Sequence, residues 1–422
     1  MSPFIGPLIA GLFAGLVSSV SLAQSFTLRQ TMVAAVATNP SIKAKARDVD
    51  AANSALSGAE WGRFPSVNMS VTSNRLEGAT QTNINSGPTS ILTVEQPLYA
   101  WGGIDARISV AGLQRDIAAR ALQTETNSVI DRVIAAFADL QRTQERLRIQ
   151  QDALARLREF KAMIERRVAT QLSSNNDMAL VEARVRQALT DLTLTRSLQD
   201  KARNQLTELT SLTVTAVEPE APRRIALNSL FGAQQAALDN APELASSRLQ
   251  IELATAQRTQ RRSDIFPRLV ARGEQMHTYN SQFPNDTRFY IALVGQLGSG
   301  LAQLDSLDEA AARILGTEQL FEATRRSLVQ QSGSVWAEMQ AYEEQLPDLT
   351  EVARQNEEIV ASFIRQYIAG RKTWLDVLNS ERELTQSRLT LADTRAAAIS
   401  AQSRMARLAG LIRFDAATGE QR

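Results

Sequence analysis

Two short stretches carry residue types at a spacing that could do chemistry. Ser174-x-x-Asp177 and Thr373-x-x-Asp376 each set a hydroxyl three residues before a carboxylate, the capping-box pattern that opens a helix. Such a cap is worth about 0.5–2 kcal/mol and is by itself a sufficient reason for both acids. Asn175 and Asn176 lie inside the first box, and Gly370-Arg371-Lys372 precede the second. Gly370 is the residue expected to supply a left-handed turn.

Little else is reactive. The 422 residues include no Cys and one His, His277, so zinc and thiol sites are excluded and no metal or cofactor is expected. His277 reads as a strand or loop residue, and the scattered Met residues read as gap-fillers. No GxxxxGK loop and no Gly-x-Ser-x-Gly elbow occurs, and no acid–base or nucleophilic group converges, so no enzyme is expected. The net charge is +1 with acidic and basic residues interleaved, which gives no footprint for a nucleic-acid partner. Apolar residues make up 44% but aromatics only 5%; Ala, Leu, Gln, Arg and Glu dominate, favouring long helices.

The elements that position the two boxes form a tandem repeat. Pro40, Phe64 and Pro65 recur as Pro242, Phe266 and Pro267, a shift of 202. Ser174, Asp177, Glu182 and Leu209 recur as Thr373, Asp376, Glu381 and Leu408, a shift of 199. The heptad row Met178, Val185, Leu192, Gln199, Leu206 recurs at the same shift as Val377, Leu384, Leu391, Ala398, Met405, and three blocks in one order argue duplication. The organisation expected is a signal peptide over 1–23, cut after Ala23; a first repeat over 24–212; a linker over 213–229, marked by Pro219 and Pro222; a second repeat over 230–410; and a tail over 411–422.

Each repeat has the same order of parts. A helix comes first (Leu28 to Ala55; Leu230 to Arg261), then two strands, a very long helix and a returning helix. Strands are expected at about 65–75, 88–98, 267–277 and 288–298, where period-two alternation such as Val67, Met69, Val71 appears. Arg272 and Glu274 in the third strand suit a wet interior better than a core. The long helices are expected at about 104–170 and 304–368, the returning helices at about 175–211 and 374–409. A helix of that length spans roughly 100 Å and must lie along other helices. Pro347 predicts a bend or break in the second long helix. Trp61 and Phe64 before the first hairpin and Tyr99 and Trp101 after it belong at one level; Tyr279, Phe283, Phe289 and Tyr290 belong at the opposite level, as interfacial girdles would. For Trp61 itself, core packing at the junction with the helices is the preferred reading.

Strands of about ten residues suit a tilted crossing of a bilayer. Backbone groups in lipid must all be paired, and four strands are too few to close a membrane barrel. A chain that spans an outer membrane with these strands must therefore share its wall with other copies.

The stretches "TLRQTMVAAVATNPSIKAKARDVDAANSALSGAEWGRFPSV", "VEQPLYAWGGIDARI" and "AGRKTWLDVLNSERELTQSRLTLADTR" resemble the TolC family of outer-membrane channels, over about residues 26–410. The resemblance implies a mainly α fold with a small β part: a trimeric, twelve-stranded outer-membrane β-barrel continued by a periplasmic α-helical barrel. It implies location in a Gram-negative outer membrane, contact with its lipid, and partnership with a periplasmic adaptor and an inner-membrane transporter, here of the ABC type. It also assigns roles at the periplasmic end. Tyr367 and Lys372 on the second tip would bond Asp177 on the first; Asp376 would be a ring acid at the narrowest point, and Asn379 replaces the other. Arg371 would serve in place of Lys372. Ser174, Asn175, Asn176, Gly370 and Thr373 would form the tips where the adaptor docks. Capping alone, without a gate role, remains open for Asp177 and Asp376, as does ordinary packing for Tyr367.

Within that family "GQLGSGLAQLDSLDEAAARI" and "GRKTWLDVLNSERE" resemble the type I protein secretion branch. A drug or metal efflux channel is the alternative, and a periplasmic coiled-coil scaffold without a pore is the alternative from another class.

Overall fold

The computed structural model describes residues 25–73, 88–222, 225, 227–279, 286–295 and 302–414. The expected signal peptide, most of both hairpin tips (with Phe283 and Pro284) and the end of the tail lie outside these residues.

The first repeat opens with β1 (Ser25–Phe26), followed by α1 (Leu28–Thr38) and α2 (Pro40–Glu60). The single helix expected from Leu28 to Ala55 is thus two. Asn39 is held extended at φ −61°, ψ 127° before Pro40, as a residue preceding proline must be, and its side chain accepts from the Ser41 N–H to cap α2. A 3₁₀ turn (Trp61–Arg63) leads into β2 (Ser66–Ser73), β3 (Pro88–Tyr99), α3 (Gly103–Ala169) and α4 (Asn175–Thr210).

The linker contributes β4 (Ala216–Val217), which pairs in parallel with β1 and ties the chain's beginning to its middle. The second repeat then runs α5 (Leu230–Asn240), α6 (Pro242–Asp264), β5 (Arg268–Thr278), β6 (Asp286–Val294), α7 (Ala302–Ile368) and α8 (Trp374–Leu408). The helix expected from Leu230 to Arg261 is again split at an X-Pro step, Ala241-Pro242.

α3 and α7 are each 67 residues long and begin and end 199 positions apart. At 1.5 Å per residue each spans about 100 Å. The break expected at Pro347 is absent: α7 is helical without interruption from Ala302 to Ile368. Proline removes one backbone donor there, and α7 is tied to α8 on both sides of it, Glu343 by Gln402 and Glu357 by Arg388.

The long helices form one layer in the order α4, α3, α8, α7, leaving α4 and α7 at its free edges. Among the described residues three larger apolar clusters, and a small one of Ile149, Leu389 and Ala392 between α3 and α8, hold it together. One packs α1 on α3 and α4 through Met32, Ile130, Phe137 and Leu206, all buried. A second joins α5, α7 and α8 through Ala237, Met339 and Met405. A third lies near the turns α3–α4 and α7–α8, with Phe160, Ile164, Val181, Tyr367, Trp374 and Leu378. Each large side chain so buried stabilises by roughly 1.5–3 kcal/mol.

At the other end of the layer β2, β3, β5 and β6 form one antiparallel sheet in that order. Trp101 Nε1 donates to the Pro267 carbonyl at 2.9 Å and pins the start of α3 to the start of β5. Within the described residues no helix is long and apolar enough to cross a membrane.

Candidate functional site

The sheet has two unlike faces. Val67, Met69, Val71, Leu92, Val94, Phe289, Ile291 and Leu293 share one face by register and are exposed, Phe289 at 85%. Gly273 stands opposite Phe289, and a Cβ there would lie 2.9 Å from the Phe289 ring. The other face is polar. Glu95 receives Arg272 Nη2 at 2.5 Å and Arg268 Nη2 at 3.2 Å, and Tyr290 donates its hydroxyl to Glu274 at 2.7 Å. Arg272 and Glu274 thus sit in a charged cluster on one side of the sheet, with the apolar side chains on the other. The outer strands β2 and β6 each pair on one side only.

The aromatic levels differ from the expectation in two respects. Phe289 and Tyr290 pair with Gly273 and Arg272 in the middle of the sheet, not at its far end, so they form no girdle there. Trp61 is 69% exposed within the chain, its ring tilted against Phe64 at 5.2 Å, so it is not packed in the core of the single chain. Trp61 opens the 3₁₀ turn between α2 and β2. Tyr99, Trp101 and Phe266 do gather at the junction of sheet and helices, with centroids 5.1 Å apart in sequence. Tyr279 sits at the far end of β5, edge-on to His277 at 4.9 Å.

At the opposite end of the helices lie the two turns. Both capping boxes are formed. Asp177 accepts from the Ser174 N–H at 3.1 Å while Ser174 Oγ accepts from the Asp177 N–H. Asp376 accepts from the Thr373 N–H at 3.0 Å and the Thr373 hydroxyl at 2.8 Å. The second set of bonds, with Lys372 nearby, holds the Asp376 carboxyl below the usual carboxylate range.

The turns share one backbone geometry. Gly370 has φ +71°, and the Arg371 N–H reaches the Gln366 carbonyl at 2.9 Å. In the first turn the equivalent position, 199 residues earlier, is Gln171 at φ +58°, with the Leu172 N–H on the Arg167 carbonyl at 2.7 Å. Both are Schellman-type ends, one built on glycine and one on a side chain that strains there.

Tyr367 links the two turns. Its hydroxyl lies 2.9 Å from Ser173 Oγ, and the Arg167 guanidinium stacks 4.9 Å from its ring. Arg167 also donates to Ser173 at 3.3 Å. Asp177, the partner implied for Tyr367, is occupied by its own cap. Lys372 lies 4.5 Å from the Phe363 ring and not on Asp177. Arg371, Asn175, Asn176 and Gly370 are exposed, and Asn379 is half-buried. Arg167 and Ser173 escaped the sequence reading because neither stands out in type. Leu172, Ile368 and Leu375 expose apolar surface at the same end.

Above the turns Glu381, on α8, is 2% exposed and accepts from Arg156 Nε of α3 at 2.8 Å. Its other oxygen and Arg156 Nη2 are buried without a partner. Burial pushes the Glu381 carboxyl up, against the pull of Arg156. Two more pairs join the same helices: Arg146 with Asp393 at 2.6 Å and Arg407 with Asp131 at 2.5 Å.

A family model described as outer membrane efflux protein matches residues 32–211 and 233–411, one segment per repeat. Among solved structures the chain is similar to CusC, with 16% identity over 92% of this chain and 95% of that one and a TM-score of 0.79. It is similar to the outer membrane protein VceC of Vibrio cholerae at 18% identity, covering 91% and 96%, TM-score 0.77. The open-state MtrE outer membrane channel of Neisseria gonorrhoeae shares 16% identity, covering 91% and 88%, TM-score 0.71. At these identities the likeness is one of fold. No curated protein matches the chain in sequence.

Proposed function

Because this chain belongs to the outer membrane efflux protein family, we propose that three copies form the outer-membrane exit duct of a tripartite export system. The chain resides in the outer membrane, with its helices extending into the periplasm. The observation that carries the proposal is the sheet: apolar on one face, charged on the other, and unpaired at both outer strands. In lipid those open edges must find partners. Three copies of four strands give a closed barrel of twelve, a size membrane barrels adopt. The apolar face then meets lipid and the Glu95–Arg272 face lines water.

The long helices continue the duct, and the turns at their far end are its inner mouth. There the capped turns, with exposed Leu172, Ile368 and Leu375, dock a periplasmic adaptor, which couples the duct to an inner-membrane transporter. Tyr367, Lys372, Arg371, Asp177, Asp376 and Asn379 surround that mouth and set how easily it opens. In this reading the two acids both cap their helices and face the passage.

Two cargo readings stand. The stretches after β6 and at the second turn support type I protein secretion driven by an ABC transporter. The family's description supports small-molecule efflux. Purified protein in mild detergent should run as a heat-dissociable trimer and form channels in planar bilayers; a monomer without conductance removes the proposal. A deletion strain then separates the cargoes: a protein retained inside the cell marks secretion, while sensitivity to drugs or metals with normal secretion marks efflux.

A further inference from the structure

We infer that α7 of one copy packs on α4 of the next in the register that α3 and α8 keep within a copy, so that Gln355 faces Glu182 of the neighbour. The inference rests on the trimer proposed above and adds the residue-level match between copies. The repeat supplies the argument. α3 and α7 start and end 199 residues apart, and α4 and α8 start 199 apart. The α3–α8 contact is made inside the chain; its repeat equivalent, α7 against α4, is not, because α4 and α7 are the two free edges of the layer.

The surface of α7 carries the mark of this missing contact. Ala153 and Phe160 of α3 are buried, Phe160 edge-on to Trp374 of α8 at 5.6 Å. Their equivalents on α7 are Val352 and Ile359, apolar yet 44% and 41% exposed. On α4, Leu194 is exposed where its equivalent Asp393 is engaged by Arg146. A second copy of this chain, presenting α4, covers these residues by the operation that relates the repeats.

The transferred register changes the chemistry of the contact. Arg156–Glu381 becomes Gln355–Glu182, and Arg407–Asp131 becomes Glu208–Gln330. Of the three arginine–carboxylate pairs that join α3 and α8 within a copy, two become amide–carboxylate pairs between copies, and the third, Arg146–Asp393, becomes Gln345 beside Leu194. In the single chain Gln355 donates to Glu351 at 2.8 Å and Glu182 pairs with Lys161 at 2.9 Å, both at accessible positions. Neutral-donor bonds are the weaker kind, so the seams between copies yield before the joints within them.

The chain has no Cys, so introduced thiols are the only ones present. Gln355→Cys with Glu182→Cys, treated with a short bifunctional maleimide in the assembled full-length protein, should give a covalent trimer on denaturing gels. Gln355→Cys with Leu198→Cys is sixteen residues, about 24 Å, out of register and should give monomer. Equal cross-linking of both pairs, or none from the first while the trimer persists in mild detergent, overturns the register. A protein that is monomeric throughout overturns the trimer itself. Gln355→Arg, which copies the Arg156–Glu381 pairing into the seam, should raise the temperature at which the trimer dissociates; an unchanged or lowered temperature counts against the match.

Discussion

The hydroxyl of Tyr367, at the end of α7, lies 2.9 Å from Oγ of Ser173, in the turn after α3, and this is the hydrogen bond that ties one turn to the other. Tyr367→Phe removes the bond and leaves the ring packed on Trp374 at 5.2 Å. The expected cost in stability is about 1 kcal/mol. If the turns restrain the inner mouth, single-channel conductance in planar bilayers rises. Ser173→Ala should do the same, and the double variant should add little to either. Additive effects would show that the two residues act separately.

Glu381 is buried against Arg156, whose side chain stays 26% exposed, and each leaves one buried polar atom without a partner. Glu381→Ala strands the guanidinium and should cost about 3 kcal/mol in chemical unfolding. Glu381→Gln keeps an acceptor for Arg156 and should change stability by less than about 1 kcal/mol.

The same pair sets a pH dependence. The Glu381 carboxyl is raised in the folded state by burial. The folded chain therefore holds this proton more tightly than the unfolded one, and the stability gained is complete below the unfolded pKa. It is lost as pH climbs through the folded pKa. Unfolding curves from pH 4 to 8 should show Glu381→Gln gaining on the native protein as pH rises; parallel curves would remove burial as the cause.

Gln171 occupies a left-handed conformation that its repeat partner Gly370 adopts without cost. Gln171→Gly should therefore stabilise the first turn, by about 0.5–1 kcal/mol once the freedom gained by the unfolded chain is counted. A loss of stability on thermal or denaturant unfolding would mean that the Gln side chain makes contacts outweighing its strain.

Glu95 pairs with both Arg268 and Arg272 on the charged face of the sheet. If that face lines the duct, Glu95→Gln leaves the cluster of Arg268, Arg272 and Glu274 one charge more positive and should shift the reversal potential toward anions in salt-gradient bilayers. An unchanged potential would place that face away from the ion path.

Much of this molecule was legible in the sequence because its signals are local. Capping boxes, period-two strands and proline-free helices depend on near neighbours, and duplication wrote the pattern twice. Even so, Asn39-Pro40 split one expected helix into two, while Pro347 failed to break another. The split at Asn39 is local, an extended residue before proline that also caps the next helix, whereas the continuity of α7 is tertiary: Glu343 and Glu357 tie it to α8 on either side of Pro347.

The sequence by itself determined the repeat, the four strands, the long helices and the two capped turns, since these follow from spacing and side-chain type. Only the tertiary structure decided that Tyr367 meets Ser173 while Asp177 serves its own helix. It alone showed that Glu381 is sealed against Arg156 while its repeat partner Glu182 stays accessible. Those outcomes depend on which faces of the two repeats meet across 194 and 225 residues of chain, and no spacing within one helix records what lies on the next.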